Sequence, residues 1–228
     1  MTTAKTLTEA QTEFLQSIDT PTVCNLIEMV APERRGHGYT VQHLHCPFPD
    51  LPPMIGFAKT VTMRARDKVD LGDYMQKRLD YLDYVAAAPN PSWVIVQDLD
   101  EPAGHGAFWG EVMGNIHKAL GCVGTISNGA IRDIPMIPPG FQMLAGSIAP
   151  SHAYVHVVDY GIDVTVHGMT VQSGDLIHAD RHGAVVVPLA TIDAMKPAFD
   201  TLSQREAKII AAAKEGKGVG AIKAAYKG

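Results

Sequence analysis

The sequence predicts an α/β fold: one compact domain with layered sheets. Three observations carry the prediction. Two stretches of helical periodicity open the chain, strand-like and helix-like runs then alternate, and from Phe141 to Pro188 only short β-like runs follow before one long helical pattern. No repeat or low-complexity tract divides residues 1–228, so a single domain is expected over that span.

The elements follow in order. Phe14, Leu15 and Ile18 lie at helical spacing in Leu7–Ile18, and Thr20-Pro21 reads as a cap plus a proline in the first helical turn. A second helix then runs through Val23, Leu26, Ile27 and Val30. Pro32 to Pro53 is rich in Gly, Pro and His and reads as a long surface excursion. Gly56–Arg66 alternates as a strand does, a helix is expected over Leu71–Ala87, and Trp93–Gln97 is a short buried strand. Gly110–Leu120 places Val112, Ile116, Ala119 and Leu120 on one helical face, with Gly121 as the stop and Cys122–Ser127 as the next strand. The later β-like runs are Phe141–Leu144, Ala153–Val158, Asp163–His167, Met169–Val171, Asp175–His178 and Ala184–Val187. A long helix over Thr191–Lys214 and a glycine-rich break lead to a short basic tail.

Composition narrows the function. At 46% hydrophobic and 19% charged, 228 residues suffice for a sizeable core. A formal charge of −5 gives no reason to expect nucleic acid or an anionic membrane surface as a partner. No apolar run approaches the roughly 20 residues of a membrane span. The polar start, Met1 to Ala10, has no signal-peptide core, so a cytoplasmic location is expected. Cys24, Cys46 and Cys122 are odd in number and far apart, which fits reduced thiols.

The chemistry concentrates in one place. Gly110-Glu111 starts a helix, and after a gap of 20 residues Arg132-Asp133 follows the next strand and an Asn128-Gly129 turn. A carboxylate can hold a hard cation, a guanidinium can neutralise an oxyanion, and a helix start can take an anion; together they suit enolate chemistry. Each residue also has a plainer role. Glu111 suits the helix dipole for ~0.3–1 kcal/mol. Asp133 suits a cap before Pro135, and Arg132 a surface ion pair worth ~0–1 kcal/mol. The combination gains weight because both pairs would sit at the ends of neighbouring strands, where α/β proteins gather ligands.

Other motifs carry less. Gly104, Gly106 and Gly110 resemble a dinucleotide-binding turn, but the spacing is one residue too long and about ten residues separate strand from helix. His152 and His156 share a strand face about 13 Å apart, too far for one metal ion. His178, Asp180 and His182 cluster at Asp180-Arg181-His182-Gly183, read as a hairpin turn, with a zinc site as the alternative. HExxH, GxSxG and Walker motifs are lacking.

With these residues set out, the chain resembles the RraA-like family, which includes class II 4-hydroxy-4-methyl-2-oxoglutarate/4-carboxy-4-hydroxy-2-oxoadipate aldolases. Two blocks in the family's order carry the resemblance, Gly110-Glu111 with Gly124–Asp133 and the later Ser173–Pro188; it extends from about Phe14 to Lys214. It implies a layered β/β/α sandwich of the swivelling-domain type, assembled as homotrimers or homohexamers. It implies a lyase that uses Mg²⁺ or Mn²⁺ to release pyruvate from 2-oxo acids by retro-aldol cleavage or to decarboxylate oxaloacetate. By position, Asp133 would hold the metal and Glu111, where many aldolases have Asp, a metal-bound water. Arg132 would face the pyruvyl oxygens, and Gly110 with the N–H groups of Val112 and Met113 would take the substrate carboxylate. The alternative that the family supplies is a non-catalytic regulator that binds ribonuclease E. A methyltransferase label, also used in the family, finds no nucleotide-binding glycine loop here. The chain departs from the aldolase pattern at Met136, where an acid is common, at the basic Arg181-His182 turn, and in the His- and Pro-rich stretch 32–53.

Overall fold

The computed structural model describes residues 6–69, 74–87 and 89–227. Two short helices come first, α1 (Glu9–Gln16) and α2 (Thr20–Val30). Thr8 and Gln11 close a capping box on α1. The cap of α2 is Asp19, whose side chain accepts from the Thr22 N–H, rather than the expected Thr20, because the carboxylate reaches that donor from one residue earlier.

The strands are β1 (Met54–Arg64), β2 (Ser92–Asp98), β3 (Ala107–Trp109), β4 (Cys122–Ile131), β5 (Gln142–Ile148), β6 (His156–Tyr160), β7 (Val164–Val166), β8 (Met169–Val171), β9 (Leu176–Asp180) and β10 (Gly183–Val187). Between them lie α3 (Tyr74–Ala86) and α4 (Glu111–Ala119), and after them α5 (Ile192–Lys214) and α6 (Val219–Lys227). The expected start of α3 at Leu71 lies outside the described residues. Eight strands form one mixed sheet in the order β10-β9-β1-β2-β4-β3, with β5 also on β4 and β6 also on β1. The pairs β1–β2, β2–β4, β3–β4 and β4–β5 are parallel. A second sheet is the hairpin β7–β8, turned at His167-Gly168, both with positive φ as such a tight turn demands.

Side-chain alternation assigns the layers. From β2, Val94 and Val96 meet Tyr81 and Val85 of α3 and Met113 of α4 on one face. Trp93 and Ile95 meet Val164, Val166 and Met169 of the small sheet on the other. A strand buried on both faces reads as a continuous apolar run, which is why Trp93–Val96 looked so plainly like a strand. The order small sheet, large sheet, helices is the expected β/β/α sandwich. Beside it, α1, α2 and α5 press Leu15, Leu26 and Met195 onto Ile55, Phe57 and Val185.

Three readings need correction. Asn128-Gly129 is no turn: β4 runs through it with a register shift against β5, and the Asn128 side chain bonds both the N–H and the C=O of Asp98 in β2. The glycine-rich stretch before Gly110 contains β3, so α4 follows β3 and not β2; that is the physical reason no dinucleotide turn forms. The basic tail is helix α6, with contacts to α5 across Gly216 and Gly218, both at positive φ. The Asp180–Gly183 hairpin stands as expected. The three cysteines are unpaired. Among the described residues no helix is long and apolar enough to cross a membrane.

Candidate functional site

Strands β3 and β4 run parallel, with Trp109 opposite Ile131. The residues that follow, Gly110 and Arg132, therefore emerge side by side at the carboxyl end of the sheet, the edge where open α/β sheets bind ligands. The Arg132 N–H donates to the Trp109 C=O at 2.9 Å and fixes the two chain ends. Asp133 then takes a left-handed conformation (φ 54°, ψ 33°), one that Asp tolerates better than most residues, and the chain turns into Ile134–Met136.

That turn brings the Asp133 carboxylate back onto the start of α4. Its Oδ2 accepts from the Glu111 N–H at 3.3 Å and lies 3.6 Å from Arg132 Nη2. Gly110 makes the approach possible, since a Cβ there would fall 2.5 Å from Asp133 Oδ2 and 3.2 Å from Arg132 Cγ. Its φ of −160° is ordinary extended backbone, so the need for glycine is one of space. Gly110 offers no side-chain cap, and the next N–H inside the helix to find a partner is that of Gly114, bonded to the Gly110 C=O. The N–H groups of Val112 and Met113 have no partner among the described residues and lie at the positive end of the helix dipole.

These groups border a cavity of about 440 Å³. Gly110, Val112, Met113 and Arg132 line it; Asp133 and Glu111 do not. Glu111 enters the site through its backbone, and its side chain is exposed. The remaining walls were not foreseen. Lys68 and Val69 follow β1, Tyr74 and Arg78 lie on α3, Phe108 on β3, and His152–Val155 on the loop before β6. No local pattern announces them, because they meet only once α3 packs on the sheet. His152 came nearest to being found, but its segment is loop where a strand was expected from Ala153; Ala153 has φ 47°.

The floor of the site is rigid for a reason visible in α4. His117 is buried, donates from Nδ1 to the Met113 C=O at 2.8 Å, and accepts at Nε2 from the Tyr81 hydroxyl at 2.8 Å. The Met113 carbonyl has no proton, so the first bond sets the tautomer. Burial holds the imidazole neutral and lowers its pKa to about 4. Trp109 stacks edge-on against it with ring centroids 4.7 Å apart.

Among the described residues no three His, Cys, Asp or Glu side chains converge as a ready-made metal cage. The donors present suit a different kind of ion. Asp133, one-third exposed, with Glu111 brought beside it by the Glu111 N–H bond, is the oxygen-only, low-denticity set that a hard cation accepts while keeping several waters. Zinc from the histidines is not favoured: His178 is spent on Thr20 Oγ1 and the Leu15 C=O, and His182 on Asp180.

Comparison with known proteins agrees with this architecture. An uncharacterized protein of Pseudomonas syringae pv. tomato superposes with a TM-score of 0.73 at 20% identity, covering 97% of this chain and 96% of that one. RraAS2 of Streptomyces coelicolor, described as an unusual member of the RNase ES inhibitor RraA family, gives a TM-score of 0.69 at 20% identity over 89% of this chain and 96% of its own. In sequence, protein DlpA of Legionella pneumophila is 24% identical over 143 residues, which are 59% of this chain and only 21% of DlpA. The family model described as RraA-like, Aldolase/RraA, matches residues 20–186, a span that holds all of the large sheet but the last residue of β10, the small sheet and every residue of the candidate site. The chain belongs to the RraA-like family, which contains both aldolases and regulators of ribonuclease activity.

Proposed function

We propose that the protein is a divalent-metal-dependent lyase that cleaves a pyruvyl-type 2-oxo acid, by retro-aldol reaction, decarboxylation or both. The observation that carries the reading is the convergence of Arg132 and the two free N–H groups of Val112 and Met113 on one cavity, with Asp133 held directly behind. The helix start binds the substrate carboxylate. Arg132 lies where the 2-oxo oxygen gains charge as the carbon–carbon bond breaks, and its planar fork stabilises that charge more than the neutral ketone. Apolar walls thin the water around it and strengthen the interaction. Mg²⁺ or Mn²⁺, held by Asp133 and through water by Glu111, would act as a Lewis acid on the keto group. Both reactions pass through the same enolate, so one arrangement serves either. Self-association as a homotrimer or homohexamer belongs to the same reading, and sedimentation tests it.

The test is pyruvate release from oxaloacetate and from 4-hydroxy-4-methyl-2-oxoglutarate, with and without Mg²⁺, corrected for release by the metal alone. Asp133→Asn is the informative variant, since asparagine keeps the left-handed backbone and the approximate shape while removing the anion. Metal-dependent release that vanishes in Asp133→Asn supports the lyase. No release from either substrate, together with capture of ribonuclease E, would favour the regulatory reading suggested by the likeness to RraAS2.

A further inference from the structure

The cavity extends beyond what a pyruvyl unit needs, and its far end has its own chemistry. At about 440 Å³ it falls within the roughly 300–1,000 Å³ typical of sites for much larger ligands. Met113 spans its two ends: the main-chain N–H opens at the helix start, and Sδ lies 3.5 Å from Arg78 Nη2. Tyr74, Phe108 and Val155 surround that far end, and with Arg78, Met113 and Val157 they enclose a small recess of about 40 Å³.

Arg78 is unusual in what it touches. Arg35, Arg64, Arg132 and Arg181 each pair with a carboxylate, Arg34 and Arg66 donate to the Val186 and Glu101 carbonyls, and Arg205 is exposed. Arg78 is partly buried, and its polar contact is to a thioether, a weak acceptor. Among the described residues no carboxylate lies within ion-pair distance of it, and no Asp or Glu lines the cavity. Among the described residues, this partly buried guanidinium, set between aromatic and aliphatic side chains, has no anion to compensate its burial.

We propose that Arg78 and the apolar walls around it form a second subsite, which takes the part of the substrate remote from the pyruvyl unit: an apolar segment of about one ring's bulk that ends in a carboxylate. Arg78 is then the residue that sets specificity. The inference deepens the lyase reading and rests on it for placing the 2-oxo acid end at Arg132. Recognition at the far end is a binding property and is testable without turnover.

The experiment is calorimetric titration of the full chain, with Mg²⁺ present, by three ligands that cannot undergo retro-aldol cleavage: pyruvate, 4-phenyl-2-oxobutanoate and 4-(4-carboxyphenyl)-2-oxobutanoate. The phenyl compound should bind more tightly than pyruvate, and the carboxyphenyl compound about tenfold more tightly again, as a charge-assisted hydrogen bond provides. Arg78→Met keeps the aliphatic stem and should erase the second gain while leaving the first. Arg78→Lys should retain part of the second gain, because a point charge remains without the fork. Unchanged melting temperature in both variants shows that the fold is intact. Equal affinity for the phenyl and carboxyphenyl compounds in the unaltered protein, or a carboxylate gain that survives Arg78→Met, would overturn the subsite. If the lyase reading alone is wrong, pyruvate release fails with every substrate while the carboxylate gain still follows Arg78.

Discussion

Replacing Gly110 with alanine tests the site with the smallest perturbation available. The backbone there is extended, so alanine brings no conformational strain, only one methyl group. That methyl would lie 2.5 Å from Asp133 Oδ2, 3.2 Å from Arg132 Cγ and 3.3 Å from Arg132 Nε, whereas ordinary contact begins at 3.4 Å. The carboxylate must therefore retreat by about 1 Å, which breaks its 3.3 Å bond to the Glu111 N–H. Overpacking costs about 1–3 kcal/mol in a sealed core. Asp133 and Arg132 are each one-third exposed and can yield, so the lower end, about 1 kcal/mol, applies. For a chain of this length that is a melting shift of about 2–4 °C. Turnover should suffer far more, since a misplacement of about 1 Å in a reacting constellation costs about a hundredfold. Melting curves and pyruvate release, measured on the same preparation, separate the two. Gly110→Ala retaining more than half of the parent turnover would refute the idea that the Gly110–Asp133 approach sets the chemistry.

Other consequences are equally concrete. Arg132→Lys should lower turnover by about a hundredfold or more while melting normally, because a single ammonium cannot replace the planar fork; near-normal rates would make Arg132 structural. Tyr81→Phe leaves His117 Nε2 buried without a donor and should cost about 1–3 kcal/mol in urea denaturation, against little change if that bond is idle. The pH dependence has a definite sign. His117 binds a proton near pH 6.5 when unfolded and only near 4 when folded, so its contribution is complete above pH 6.5 and is lost as pH falls towards 4. The full effect is about 3 kcal/mol. Imidazole NMR should find His117 still neutral at pH 5.5, and a midpoint near 6.5 would show that the burial argument fails.

How much of this was legible from residue order alone differs between the fold and the site. Helices and buried strands were readable wherever local pattern and tertiary role agree, as in Trp93–Val96, apolar because both faces are covered. Reading failed where a long-range partner overrode a local signal. Asn128-Gly129 has the composition of a turn but stays extended, because β2 offers Asp98 to bond the asparagine side chain. The reacting end was visible because its parts are adjacent in sequence, Gly110-Glu111 and Arg132-Asp133, and parallel pairing of β3 with β4 joins them. The cavity walls were not, because Lys68, Arg78 and Tyr154 come from three separate segments whose meeting no spacing encodes.

The parallel register of Trp109 with Ile131 has a consequence for how such a protein can change over time. The groups that face the pyruvyl unit are anchored to the paired ends of β3 and β4, where one inserted or deleted residue would flip every side chain beyond it. Most of the walls that would select what the pyruvyl unit is attached to come instead from α3 and from the loop after β5, outside the sheet ladder, with Phe108 of β3 the exception. Mutation can therefore reshape the outer rim freely while the inner edge stays fixed, so that related chains could diverge in diet without relearning the reaction.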